Sequence, residues 1–350
     1  MTRIDWVILR RLGSRIALTI TVVFGLIILA ESLNTWRFQH LSSVGGPLLG
    51  LLAMVVAAAQ WALSTLPVTL LIGAIIGLLD LQARRELTVI KASGLSVWRL
   101  LRLPIVAVVV LGIVASLAAD TLIVNMSRAL AINMPQASNG LWLEQSGGGQ
   151  NYVIYAEHPH PGGTTLEGVI IFLPEGDDGD RIHAAVMELR PGAWHIPAGI
   201  QFAPDVPPRH VEDLELPTTT TAADMGVKLR SAVELTVFEL GAALADGITD
   251  PTLRASVEMR FVRLLAQPLV LVGSLLVAFA FTTGYRRTNK YGAAVLYGIV
   301  LGFVVYVITE MAAMAGAAGV LGPTFAAVAP AIVAMVIGTT VLLFREDGRI

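Results

Sequence analysis

The sequence predicts an α-helical polytopic membrane protein, six transmembrane helices with an all-β, jellyroll-like domain inserted after the third. Three observations predict it. Hydrophobic residues make up 55% of the chain and charged residues 14%, with a mean hydropathy of +0.72, well outside the mixture of a soluble globular protein. Six apolar stretches are each long enough to cross a hydrocarbon core of about 30 Å, which takes about 20 residues. Between the third and fourth stretches, residues 132–257 change character, gathering most of the Asp, Pro and His into an alternating apolar pattern.

The predicted spans have cores at residues 16–36, 51–79, 103–124, 264–283, 291–312 and 324–344. Arg3, Arg10, Arg11 and Arg15 precede the first, as in a signal peptide. The apolar run is too long for one and lacks a small-x-small cleavage site, so it reads as a retained span. The second stretch is the longest, which predicts a tilt or an interfacial start near residues 47–60. Gly73 with Gly77, and Gly298 with Gly302, are spaced four apart. That spacing predicts close helix packing, within the chain or between subunits, unless it reflects the ordinary frequency of Gly in membrane helices.

Orientation follows from Arg and Lys in the short loops, which are in excess on the cytoplasmic side. With the N-terminus inside, Arg84, Arg85, Lys91, Arg99, Arg102, Arg286, Arg287, Lys290, Arg345 and Arg349 all fall inside too. The opposite short loops, 40–46 and 315–322, contain neither Lys nor Arg. Both termini are thus expected in the cytoplasm, and the large insert on the far side.

In the insert, residues 151–156, 166–173, 182–189 and 193–196 carry β-branched and aromatic residues in alternation and predict strands. Turn clusters at 146–150 and 176–180 separate them. Residues 204–208 and 218–221 read as irregular connection, and 248–260 as a helix leading into the fourth span. The domain organisation expected is therefore 1–131 for the first three spans, 132–257 for the β domain and its connection, and 258–350 for the last three spans.

A short polar run at about 82–96 separates the second and third spans. It is too short for a catalytic domain and reads as a docking helix. Positive-inside bias explains Arg84, Arg85 and Lys91, but not Glu86. On a helix, Glu86 shares a face with Val89 and Ile90 one turn on, and Gly94 is placed to stop the helix. Such a face can seat in a groove of a cytoplasmic partner, its carboxylate paired to a basic residue.

Glu31, Arg37, Asp120, Arg128 and Glu310 lie near the outer ends of the first, third and fifth spans. A charge at the bilayer centre costs about 2.5 to 3.5 kcal/mol on insertion scales, so intramembrane charges usually face a cavity, a partner or an interface. Taken singly, each is equally explained by snorkelling. Together at one level they predict a polar-rimmed cavity open to the outer leaflet, where Arg37 and Arg128 could meet phosphate groups.

No phosphate-cradling Walker sequence, His-Glu-x-x-His metal motif or Gly-x-Ser-x-Gly nucleophile turn is present. Neither a catalytic residue nor a bound cofactor is expected of this chain. A net charge of −2 argues against nucleic acid as a partner, and the absence of Cys removes disulfides and thiolate metal sites. His158 and His160, in a His-Pro-His-Pro run, read as an exposed turn rather than a metal site.

The run Arg-Glu-Leu-Thr-Val-Ile-Lys-Ala-Ser-Gly-Leu-Ser at 85–96 resembles the coupling helix of the LptF/LptG (YjgP/YjgQ) family of lipopolysaccharide-export permeases. Asn-Gly-Leu-Trp at 139–142 leading into Asn-Tyr-Val-Ile-Tyr at 151–155 is similar to the start of that family's periplasmic domain. Gln-Pro-Leu at 267–269 and Gly-Phe-Val-Val-Tyr at 302–306 extend the resemblance, which covers essentially the whole chain. The Gly-Leu-Trp lead-in is more similar to LptG than to LptF.

The resemblance implies a non-catalytic bacterial inner-membrane subunit paired with a homologous, LptF-like permease. An LptB-like cytoplasmic ATPase dimer, using ATP and Mg, would drive it. Lipopolysaccharide would leave the outer leaflet of the inner membrane for an LptC-like, single-span-anchored periplasmic bridge. Glu86 would be the coupling carboxylate, and Arg128 a basic position linked to substrate headgroups. The first span departs from the LptG-like pattern of several basic residues at its outer end, because only Arg37 stands there, beside Glu31. Rival readings are a permease of a lipoprotein-release or mechanotransmission ABC system, a non-transport envelope assembly protein, and a membrane-embedded hydrolase.

Overall fold

The computed structural model describes residues 3–33, 35–84, 97–132, 141–147, 150–160, 163–173, 180–203, 206–230, 234–283 and 291–346. The chain forms two compact units, one of Met1–Asn133 with Glu258–Ile350 and the other of Met134–Val257.

The first unit carries the spans. Helix α1 (Arg3–Ser32) and helix α2 (Thr35–Ala83) are followed by α3 (Val97–Ile113), a π-helical turn (Val114–Ala119) and α4 (Asp120–Ile132). Among the described residues, six helical stretches are long and apolar enough to cross a membrane: Trp6–Ser32, Gly46–Ala83, Trp98–Leu130, Pro251–Thr282, Val295–Ala317 and Pro323–Phe344. The first begins ten residues earlier than the apolar core at 16–36 suggests, because Arg10, Arg11 and Arg15 continue the helix; Arg is a good helix former and its long stem snorkels. Trp36 and Arg37 accordingly belong to α2, not to the exit of the first span. At 49 residues, α2 would be about 74 Å long at 1.5 Å per residue, more than twice a hydrocarbon core. Gly46 at φ +81, followed by Pro47, divides it, since only a residue without Cβ takes that backbone readily.

The glycine spacing resolves as packing within the chain. A Cβ on Gly73 would sit 2.9 Å from the Ile16 Cα, and one on Gly77 2.9 Å from the Leu12 Cδ1. Close approach of α1 and α2 depends on both being glycine. In the fifth span, Gly298 meets Ile75 and Gly302 meets Val68 in the same way. Leu70, Leu71, Ile75 and Leu78 of α2 form, with Leu271, Leu275 and Phe279 of the fourth span, a continuous buried cluster. α2 is thus the axis of this unit.

The second unit is an antiparallel sheet of β1 (Leu141–Gly147), β2 (Gln150–Pro159), β3 (Thr165–Leu173), β4 (Asp180–Arg190), β5 (Ala193–Ala203) and β6 (Val206–Pro217), paired in chain order. Leu143, Tyr152, Ile154, Leu166, Ile171, Met187, Trp194 and Ile196 gather in one buried cluster, the alternation along β3 changing phase at Gly168, which has φ +63. The jellyroll-like expectation is met as an antiparallel β domain, and among the described residues the strand order is a meander of neighbours rather than Greek-key crossovers. The first and last strands meet at one end. There the Thr218 and Thr220 hydroxyls donate to the buried Gln145 Oε1 at 2.6 and 2.7 Å, and the Tyr152 hydroxyl donates to the Pro217 carbonyl at 2.8 Å.

Two parts of the insert differ from expectation. Val206–Pro217 is strand β6, although Pro207 and Pro208 suggest irregular chain. Among the described residues it pairs with β5 alone, so its prolines leave no ladder bond unmade on the outer side. The connection that follows contains α5 (Ala222–Arg230) and α6 (Val237–Asp246). α6 is started by a capping box, the Thr236 hydroxyl accepting from the Glu239 N–H while Glu239 accepts from the Thr236 N–H at 2.8 Å.

The remaining helices are α7 (Pro251–Thr283), α8 (Tyr291–Ala317) and α9 (Pro323–Glu346). Asp250 caps α7, accepting from the Thr252 and Leu253 N–H groups at 3.0 and 3.3 Å, with Pro251 as the first helical residue. Burial opposes ionisation of Asp250, but these bonds and Lys228 at 3.4 Å outweigh it and hold its carboxyl below the usual carboxylate range.

Candidate functional site

Helix α7 carries Arg260 and Arg263 one turn apart, after Arg254 and Glu258 near its start and before a stretch to Thr283 with no charged residue. Each reaches a carboxylate on a different neighbour. Arg260 Nη2 donates to Asp120 Oδ1 at 3.2 Å and Oδ2 at 3.4 Å, joining α7 to α4. Arg263 grips Glu310 of α8 with a two-pronged contact, Nη2 to Oε2 at 2.8 Å and Nη1 to Oε1 at 3.3 Å. Because the arginines are one turn apart, about 4.5 Å along the axis, Asp120 and Glu310 stand at nearly one depth, as the sequence suggests.

The two pairs differ in burial. The Asp120 and Arg260 side chains are 11% and 20% exposed, whereas Glu310 and Arg263 are 28% and 34% exposed. The Arg260 Nε is buried without a hydrogen-bond partner. Asp120 also ends the π-helical turn of the third span: its N–H bonds to the Ala115 carbonyl five residues back. Such turns concentrate at functional positions because the extra residue re-aims a side chain. Here the re-aimed side chain is Asp120, directed at α7.

Beside the Arg263–Glu310 pair is a cleft between α2, α7, α8 and α9, lined by Ser64, Pro67, Gln267, Tyr306, Thr309 and Ala327 among others. It has about 40 Å³ of space for water-sized spheres, room for a water or two and far too little for a lipid headgroup. Its walls must part before it admits a lipid. Arg263 and Glu310, which line it, neutralise each other in place, and of the five outer-end residues Glu310 alone is in its lining.

The other expected outer-end residues are placed separately. Glu31 is in the last turn of α1 and half-buried, and Arg128 is two turns beyond Asp120 on α4 and also half-buried. Arg37 lies early in α2, and its side chain falls outside the described residues. Sequence reasoning missed Arg260 and Arg263. The available signal was their three-residue spacing at the depth of two isolated intramembrane carboxylates, since such charges pair with one another.

At the opposite end of α2, Arg84 Nε lies 3.4 Å from Asp80 Oδ2, and Asp80 also takes Arg15 Nη2 at 3.2 Å. Gln82 Nε2 donates to the Thr282 carbonyl at 2.9 Å, tying the end of α2 to the end of α7. Arg85, Glu86, Val89, Ile90 and Gly94 lie outside the described residues. From Pro67 at the cleft to Ala83 is a single helix, about 24 Å long.

A model of the lipopolysaccharide export system permease LptF/LptG matches residues 6–345, spans and β domain alike. The chain belongs to the LptF/LptG family. That family is the permease of the lipopolysaccharide export ABC system, and its members are non-catalytic membrane subunits. No curated protein matches the sequence. In this inner-membrane permease the cleft, lined by the Arg263–Glu310 pair, lies against the part of α2 that runs on to Ala83.

Proposed function

We propose that this permease is one half of an ATP-driven extractor that takes lipopolysaccharide from the outer leaflet of the inner membrane. A homologous permease supplies the other half, and a cytoplasmic ATPase dimer supplies the energy. Both termini and residues 82–96 face the cytoplasm, as the basic residues of the short loops favour. The β domain, in the periplasm, passes lipid to a bridge protein anchored by a single span. The lead-in at 139–142 favours the LptG half. The observation that carries the reading is the family match across residues 6–345.

In this mechanism Glu86, with Arg84, Arg85, Val89, Ile90 and Gly94, forms the joint to the ATPase. Movement of that joint is delivered along α2 to the cleft. Parting α7 from α4 and α8 exposes Arg260 and Arg263, and Arg37 and Arg128 add to the basic groups available to the headgroup. Phosphate groups on the lipid then compete with Asp120 and Glu310 for the guanidinium donors, and Glu31 limits how far the site favours anions. Closing restores both pairs and expels the lipid. Charge-assisted contacts to phosphate are of the same strength class as those to carboxylate, so the exchange is close to balanced.

The test is purification of the tagged chain from its native membrane with identification of what accompanies it. A second permease, an ATPase and lipopolysaccharide are expected together. Recovery of the chain with an ATPase and a lipoprotein but no lipopolysaccharide, or with no ATPase at all, contradicts the proposal.

A further inference from the structure

Gln82 joins two helices that 200 residues of chain separate. Its Nε2 donates to the Thr282 carbonyl at 2.9 Å, one residue before α7 ends at Thr283. The last four carbonyls of an α-helix have no donor within it. Thr282 is 1% exposed, which keeps water from serving instead, and its own hydroxyl is turned back to the Ala278 and Phe279 carbonyls at 2.9 and 3.0 Å. The end of α7 is therefore capped by a side chain from the last turn of α2, just before residues 85–96.

That bond sets something the apolar packing of the two helices does not. Leu70, Leu71, Ile75 and Leu78 of α2 cluster with Leu271, Leu275 and Phe279 of α7. Apolar contact is non-directional, and packed helices can slide by small steps while keeping it. At the cleft, Gln267 Nε2 reaches the Leu63 carbonyl only at 3.5 Å, too long for a firm bond. Among the described residues, the axial register of α7 against α2 is thus held most firmly at Gln82. The consequence lies at the other end of α7, where Arg263 is about 28 Å along the helix from Thr282. Arg260 and Arg263 reach carboxylates on different neighbours, so an axial shift of α7 stretches both pairs together. Their contacts are 2.8 to 3.4 Å long. A shift of about 1–2 Å, ordinary for helices in switching proteins, takes such contacts beyond good hydrogen-bond length, about 3.2 Å.

We infer that Gln82 is a positioning residue for transport: it locks the end of α7 to the end of α2, so that displacement of α2 draws Arg260 and Arg263 away from Asp120 and Glu310 in one step. The inference rests on the ATP-driven reading above. It adds α7 to α2 as a carrier of the motion, and it assigns the opening of both ion pairs to a single hydrogen bond at the far end of the helix that bears the arginines.

The test uses the full complex in nanodiscs, with spin labels on cysteines introduced into this chain, which has none of its own, and partner subunits freed of cysteine. Leu122→Cys with Leu265→Cys reads α4 against α7, and Trp61→Cys with Leu265→Cys reads α2 against α7; all three side chains are more than half exposed. Trapping the wild-type complex with ATP and vanadate is expected to change the α4–α7 separation by about 1–2 Å and to leave α2–α7 unchanged. Gln82→Glu has the same shape but no N–H to donate, and its charge is disfavoured at a helix C-terminus. It should exchange the pattern, α7 staying with α4 and slipping against α2. Gln82→Lys keeps a donor suited to a helix C-terminus and should behave as wild type. General loosening moves both separations and does not exchange one for the other. If Gln82→Glu fails to assemble with the ATPase, Gln82→Ala decides by the same pattern. An α4–α7 change that survives in the variant lacking the donor, or that is lost equally in Gln82→Lys, overturns the inference and leaves the ATP-driven reading standing. No response of either separation in wild type removes both.

Discussion

The Asp120–Arg260 pair permits the sharpest test of how the spans are held. Asp120→Ala removes the carboxylate and leaves Arg260, whose side chain is 20% exposed and whose Nε already lacks a partner. Removing one member of a buried pair costs about 3–5 kcal/mol, because the other charge is left uncompensated. Glu310 lines the cleft, which has room for a water to screen the charge left behind, so Glu310→Ala should cost less, about 1 kcal/mol. Removing both members, with Asp120→Ala and Arg260→Met together, should recover most of the loss, since the hydrocarbon no longer holds a lone charge. Reversible unfolding in mixed detergent micelles gives the four free energies of the cycle. A coupling of about 2 kcal/mol or more is expected on these grounds. Additivity of the two single changes within about 0.5 kcal/mol, or equal costs for Asp120 and Glu310, would refute the reasoning.

Two further outcomes are expected. A Cβ on Gly112 would lie 2.6 Å from the Pro268 Cα, a backbone atom that cannot swing aside, so Gly112→Ala should force α3 from α7 and cost about 1–3 kcal/mol in the same unfolding measurement. Burial pushes the Tyr152 phenol up from 10.0 to about 12. A group whose folded value is raised contributes stability that is complete below its unfolded value and lost as pH rises through the folded one. Wild-type stability should therefore fall between about pH 10 and 12, and in Tyr152→Phe that step should be missing. Tyr152→Phe should also be less stable at neutral pH by about 1 kcal/mol, having lost the bond to the Pro217 carbonyl.

The spans were legible because hydrocarbon imposes one requirement on every residue of a segment, and an apolar run states it directly. Their ends were less so: the helix continues through Arg10, Arg11 and Arg15, where backbone hydrogen bonding rather than side-chain polarity decides. Four of the six strands, β2 to β5, were visible from alternation, and β1 was marked only by the turn cluster at its end. β6 was not, because Pro207 and Pro208 oppose a strand everywhere except at an edge, and edge position is a property of the sheet. The box at Thr236 and Glu239 was readable and passed over. Within the site, the common depth of Asp120 and Glu310 followed from counting along the spans, but their partners did not. Arg260 and Arg263 are 140 and 47 residues away from the carboxylates they meet, and only the packing of α7 between α4 and α8 brings them together. The π-helical turn that aims Asp120 has no composition of its own in Val-Ala-Ser-Leu-Ala-Ala.

The central claim is that motion enters through residues 82–96 and leaves as displaced lipid. ATP-driven release of lipopolysaccharide from proteoliposomes containing the purified complex tests it most directly, comparing wild type with Glu86→Ala. The expected result is a Glu86→Ala complex that assembles and unfolds like wild type but releases lipopolysaccharide no faster than it does without ATP. Release at the wild-type rate would place the joint elsewhere and contradict the account.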